Sequence, residues 1–244
     1  MQAPNNFQSS FTAHYLSEYA VTLEFGEEIS EDLLQKISRF NTAIHQYPFS
    51  GFQTTVPGYA TISVFFDPVL VIRSGLPGQD CFTKVADYLT GLQQRAIDQD
   101  VKSGSLVTIP VCYGNIYGPD LDEVARVNQL TALQVIELHS SAVYKVFMIG
   151  FVPGFAYLGG MNSALANPRK LSPRPAIAPG SVGIAGKQTG VYPLQTPGGW
   201  QIIGQTPLKM FAATRAQPSL LSAGDEVVFK PISASEFKQY NTRA

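Results

Sequence analysis

Apolar and polar residues alternate along Tyr19–Phe25 (Y-A-V-T-L-E-F), the period-two signature of a strand. After Gly26 the period lengthens. Leu33, Leu34, Ile37, Phe40 and Ile44 fall on one face of a helix that Ser30 is placed to cap. Gly51–Val56 and Tyr59–Phe66 predict two further strands joined at Pro57-Gly58, and Asp67-Pro68 stops the second. Phe82, Val85, Ala86, Leu89 and Leu92 return at helical spacing within Pro77–Ile97. Leu106–Cys112 is again strand-like, with Pro110 hinting at a sheet edge. The resulting order, β-α-β-β-α-β, is the split βαβ, ferredoxin-like arrangement, so residues 1–112 are expected to form an α+β N-terminal domain.

Two short helices follow. Asp120 stands three residues before Glu123, and Thr131 three before Gln134, each in the spacing of a capped helix start. From Ala142 onward the pattern is almost purely β, with candidate strands at Val143–Phe151, Val182–Ala185, Trp200–Gly204, Met210–Ala212 and Glu226–Ile232. Glycine and proline recur between short apolar runs from Lys145 to Thr206, which requires many sharp turns. Closing such strands into a barrel hides edges that an open sheet would expose. Residues 113–244 are therefore expected to form a helical connector and a β-barrel domain.

Composition narrows the function classes. With 45% hydrophobic and 14% charged residues the chain should be ordered, and its small surface charge suits a protein partly covered by another. A net charge of -1 supplies no attraction for nucleic acid or an anionic membrane. Cys81 and Cys112, in apolar segments without metal spacing, read as buried thiols of a reducing compartment. The opening M-Q-A-P-N-N-F-Q-S-S lacks a basic region before an apolar core, and no run is long enough to span a bilayer, so a cytoplasmic location is expected.

Candidate chemistry concentrates in the glycine-rich half. Gly186-Lys187 resembles the end of a phosphate-binding loop, but Ser181 and Gln188 stand where that motif needs Gly and Ser or Thr. Lys187, with Gln188 and Thr189, is left as a candidate contact for an anion. His139, at a helix end, is either a cap for the last carbonyls or a base titrating near neutrality. Arg169 and Arg174, stiffened by prolines in P-R-K-L-S-P-R-P, either recognise a carboxylate or brace a long loop. Tyr157 and Trp200 are interleaved with the turns, as core aromatics or as part of a binding face. Neither a complete catalytic constellation nor a metal-ligand spacing is present in the sequence.

Longer motifs point further. Ile109-Pro-Val-Cys-Tyr-Gly, Gly118-Pro-Asp-Leu, Glu137-Leu-His-Ser-Ser, Gly150-Phe-Val-Pro-Gly-Phe-Ala-Tyr-Leu-Gly-Gly, Gly183-Ile-Ala-Gly-Lys-Gln-Thr-Gly-Val-Tyr-Pro and Pro197-Gly-Gly-Trp resemble the 5-oxoprolinase B-subunit family. That family also includes the kinase inhibitor KipI and the allophanate hydrolase subunit 1 type of carboxyltransferase domain. The resemblance implies a cyclophilin-like barrel and a protein that acts with the C and A subunits to open 5-oxo-L-proline to L-glutamate, using ATP with Mg2+ in the complex. It makes Arg169, Arg174, Lys187, Gln188, Thr189, His139 and Tyr157 candidate substrate contacts. Phe151, Pro153, Phe155 and Trp200 become candidate partner contacts. It also leaves open a KipI-like inhibitor of a sensor histidine kinase, or a part in a urea or allophanate system. The chain departs from the family at Gln205, where an arginine commonly precedes Thr-Pro.

Overall fold

A computed structural model of the protein describes residues 11–27, 30–97 and 104–242. The opening segment, read above as lacking a leader, lies outside them. The chain divides into two compact units, Met1–Lys102 and Ser103–Ala244.

The first unit contains β1 (Thr12–Ser17), β2 (Ala20–Glu24), α1 (Glu31–Gln46), β3 (Phe52–Pro57), β4 (Thr61–Phe66), α2 (Pro68–Arg73) and α3 (Cys81–Ile97). The Ser30 hydroxyl accepts the Leu33 N–H at the start of α1, and Glu31 and Asp32 meet the positive end of the helix. The predicted stripe of α1 is buried together with Val21, Leu23, Ile62, Val64, Val85 and Leu89.

The ferredoxin-like expectation needs correction. The sheet runs β1-β2-β4-β3, and its pairings are antiparallel. β2, β4 and β3 lie in the order a split βαβ unit requires. The outer place expected for Leu106–Cys112 is instead taken by β1, which precedes them all. β1 escaped the pattern because none of its residues is fully buried, so it shows no apolar alternation.

The second unit begins with the displaced strand, β5 (Leu106–Tyr113), so the boundary precedes position 112. It continues with α4 (Leu121–Val127), α5 (Ala132–Ser140), β6 (Val143–Ile149), β7 (Ala156–Gly159), β8 (Arg174–Ile177), β9 (Ser181–Ala185) and β10 (Gln188–Val191). β11 (Thr196–Gly198), β12 (Gln201–Gln205), β13 (Glu226–Pro231) and α6 (Ala234–Thr242) complete it. β10-β7-β6-β13-β5-β12-β9 form a closed barrel, sealed by the β9–β10 pair, while β8 and β11 form a separate ribbon. Ile109, Val111, Val146, Leu158, Ile184, Val227 and Phe229 fill the barrel.

Pro110 sits at a locally free edge of a strand that belongs to the closed barrel. β5 pairs with β13 from Leu106 to Val111 but meets β12 only at Cys112 and Tyr113, so the proline sits where one side of the strand needs no N–H donor. Met210–Ala212 is not a strand: Phe211 makes a single bridge to Ser219. The Thr131–Gln134 capping box at α5 forms as expected. Asp120 stands at the start of α4 but makes no side-chain cap, because its carboxylate is engaged elsewhere.

Candidate functional site

An aromatic cluster opens at one place on the barrel unit. Phe155 is its hub, meeting Tyr157 at 4.8 Å, Tyr192 at 5.2 Å, Trp200 at 5.4 Å and Phe151 at 5.6 Å, each edge to face. These rings, with Arg169, Pro173 and the Pro197–Gly199 backbone, line a cleft of about 290 Å³. The glycine of P-G-G-W is required by this packing. A Cβ on Gly198 would run into the Tyr192 hydroxyl and Ile177.

The mouth of the cleft is shaped by an unusual turn. The Val152 N–H donates to Gly150 O (2.8 Å), closing a three-residue turn on Phe151, whose φ is +67°. A phenylalanine held there stores about 1–3 kcal/mol of strain. The turn leaves the ring 62% exposed beside buried Phe155.

Arg169 provides the charge. Its neighbours are pinned to the P-G-G-W segment: the Lys170 N–H donates to Gly199 O (2.7 Å), and Gln201 Nε2 donates to Pro168 O (3.1 Å). Among the described residues no carboxylate pairs with Arg169. Burial pushes the Tyr192 phenol up to about 12, against the opposing pull of the Trp200 N–H and the Arg169 charge. Burial raises the Tyr157 phenol too, again opposed by Arg169. Both hydroxyls therefore stay protonated at neutral pH, beside a cation free to meet an anion.

Arg174, by contrast, is already paired. Its Nη1 and Nη2 donate to Asp120 Oδ2 (2.8 Å) and Oδ1 (2.7 Å). Lys170 Nζ lies 2.9 Å from Oδ1, and the Ile202 N–H donates to Oδ2 at 2.7 Å. Burial alone would raise the Asp120 pKa, but these donors outweigh it and hold the carboxyl below its ordinary value. The bidentate recognition expected of Arg174 thus occurs inside the chain. It ties the loop that carries Arg169 to α4 and β12.

The glycine run from Gly180 to Gly190 is the β9–β10 hairpin, turning at Gly186 (φ +57°). Lys187 is exposed at its tip, Gln188 is half-buried, Thr189 is buried, and none of the three lines the cleft. Pro153 is exposed on the same turn as Phe151 but is likewise not part of the lining.

His139 fits neither sequence expectation. It is fully buried in the barrel, stacked on Phe229 at 4.5 Å. The Thr189 hydroxyl donates to Gly183 O (3.0 Å) and so accepts from His139 Nε2–H (2.9 Å). Nδ1 then accepts from the Tyr113 hydroxyl at 2.8 Å. Burial lowers the imidazole to about 3, so it is neutral when folded and protonates readily only after unfolding. Stability from this group is complete above the unfolded value near 6.5 and declines as pH falls toward 3. Between about pH 6.5 and 5 the expected loss is about 2 kcal/mol. Urea titrations at the two pH values check it; a His139→Gln variant should show little of that pH dependence.

The sequence does not mark Asp120, Tyr192 or the Gly198–Gly199 backbone as site residues. Asp120 carries a cap signature that hides its ion pairs, and Tyr192 is an ordinary β residue until its ring meets Trp200.

Residues 11–221 match the family model described as carboxyltransferase domain, subdomain C and D. The 5-oxoprolinase B subunit of Bacillus subtilis (strain 168) is 45% identical over 227 residues, covering 92% of this chain and 94% of that protein. The chain belongs to the 5-oxoprolinase B-subunit family. The corresponding B subunit of Escherichia coli O157:H7 is 54% identical over 125 residues, 51% of this chain and 57% of its own. Among solved structures, TTHA0988 superposes with a TM-score of 0.74 at 32% identity, over 88% of this chain but only 40% of that longer protein. PH0987 from Pyrococcus horikoshii gives 0.54 at 38% identity, over 93% of this chain and 100% of that one. The urea amidolyase of K. lactis, at 0.75 and 19% identity over 97% of this chain and 16% of that one, shares the fold. In this member of the B-subunit family, the motifs G-F-V-P-G-F-A-Y and P-G-G-W both contribute lining residues to one cleft.

Proposed function

We propose that this chain is a non-autonomous component of an ATP-dependent 5-oxoprolinase, working with homologues of the C and A subunits to convert 5-oxo-L-proline to L-glutamate. The carrying observation is the 45% identity across 92% of the chain to a 5-oxoprolinase B subunit. The cleft supports it chemically. 5-Oxoproline is a small, flat lactam with one carboxylate. Its ring suits the faces and edges of Tyr157 and Trp200, and its carboxylate suits the guanidinium of Arg169, which pairs with no carboxylate among the described residues. Opening the lactam concentrates charge on the amide oxygen, which a fixed cation and phenol donors can stabilise.

The Gly180–Gly190 hairpin does not fit the phosphates of ATP. A strand rather than a helix follows Lys187, so the helix N-terminus that a phosphate loop relies on is missing at that place. This hairpin is therefore not proposed as the holder of the ATP and Mg2+ of the complex, and Lys187 lies outside the substrate cleft. The kinase-inhibitor and urea-pathway alternatives draw on the same fold, but no feature of the cleft favours either.

The test is ATP-dependent glutamate formation from 5-oxoproline by all three purified subunits. Leaving this chain out should remove turnover. Unchanged turnover without it would defeat the assignment.

A further inference from the structure

The first unit carries a second cavity, of about 470 Å³, walled by Tyr15, Phe66, Pro68 and Phe82 and rimmed by Glu18 and Asp80. Tyr15 and Phe82 meet edge to face at 6.3 Å. The cavity adjoins β1, an outer strand that among the described residues pairs with β2 alone. Its register slips between Tyr15 and Ser17. Tyr15, which walls the cavity, is 62% exposed, and Tyr19, just past the end of β1, is 56% exposed. Across the cavity, Pro68 opens α2, whose Val69, Leu70 and Ile72 are exposed as well.

The charges select the occupant. Among the described residues neither Glu18 nor Asp80 has a cation partner. Asp80 is held below its ordinary pKa by the N–H and hydroxyl of Thr83, so it is anionic at neutral pH. A strand edge unpaired among the described residues, an aromatic pocket and an acidic rim together suit a basic extended segment.

We propose that this face docks an extended segment of a partner subunit, which adds a strand beside β1 and sets an arginine or lysine over Tyr15 and Phe82 against Glu18 and Asp80. The cation would gain from both the ring faces and the carboxylates. The proposal rests on the reading of the chain as one component of a heteromeric enzyme.

The test titrates the full chain against the purified C and A homologues separately, at low and high salt, using wild type, Glu18→Lys and Tyr15→Ser. Both substituted side chains are exposed, so melting temperatures should not move. Binding to one partner should weaken about tenfold in each variant, and the charge reversal should matter most at low salt. Wild-type affinity in both variants would overturn the docking surface while leaving the complex intact. A change confined to self-association would overturn it in favour of a second copy. If wild type bound neither partner, the heteromeric reading would fall and this surface with it.

Discussion

Replacing Asp120 by alanine is expected to destabilise the barrel unit by about 3 kcal/mol and to remove turnover in the assembled enzyme. Its carboxylate is 5% exposed and receives Arg174, Lys170 and the Ile202 N–H, so truncation leaves two cations and one buried donor without their acceptor. Both cations keep roughly a quarter to a third of their exposure, which places the cost at the low end for a broken buried pair. Asp120→Asn retains an acceptor for Ile202 but loses the charge, and should fall between wild type and alanine. Urea denaturation reads the stability, and glutamate formation reads the displacement of the loop bearing Arg169. Because the carboxyl is held below its usual value, its contribution is present above the unfolded value near about 3.9 and fades as pH falls through the folded one. An alanine variant with native stability and full turnover would show that Asp120 organises nothing.

Arg169→Ala carries the opposite signature. The side chain is exposed and, among the described residues, lacks an ion pair, so its loss should leave the melting temperature nearly unchanged. Turnover of 5-oxoproline should drop about 100-fold, in the range seen when one charge-stabilising donor is deleted. Arg169→Lys should recover part of it, since a lysine keeps the charge but cannot grip a carboxylate with two parallel N–H donors. Arg174→Ala separates the roles: it should cost stability with Asp120, whereas Arg169→Ala should not. Normal kinetics in the Arg169 variant would remove the cleft from the substrate site.

The contrast between Arg169 and Arg174 shows where sequence reasoning reached its limit. Both sit in one proline-stiffened segment and both read as candidate carboxylate binders. The feature that divides them, the Asp120 carboxylate, lies 54 positions from Arg174 in the chain and carries the sequence signature of a helix cap. Lys187 and Thr189 show the same limit at short range. Lys187 stands at the exposed hairpin tip, outside β10, whereas Thr189 lies within β10 with its hydroxyl buried against His139, so neighbours in a glycine-rich motif need not share a site. His139 passed for a helix-end residue, yet α5 directs it into the barrel, where Thr189 and Tyr113 satisfy both ring nitrogens.

Local pattern alone was sufficient for α1, α3, α4, α5, the strands β2, β3 and β4 of the first unit and the longer barrel strands β5, β6, β9, β12 and β13, because side-chain period and capping chemistry act within a few residues. The long motifs likewise sufficed to place the chain in its family. The tertiary structure decided the rest: β1 taking the outer place expected for Leu106–Cys112, the short β7, β8, β10 and β11, and the choice of Arg169 as the cation left facing the aromatic cleft. Those outcomes depend on pairings between residues far apart in sequence, whose energies appear only once burial has removed the competing water.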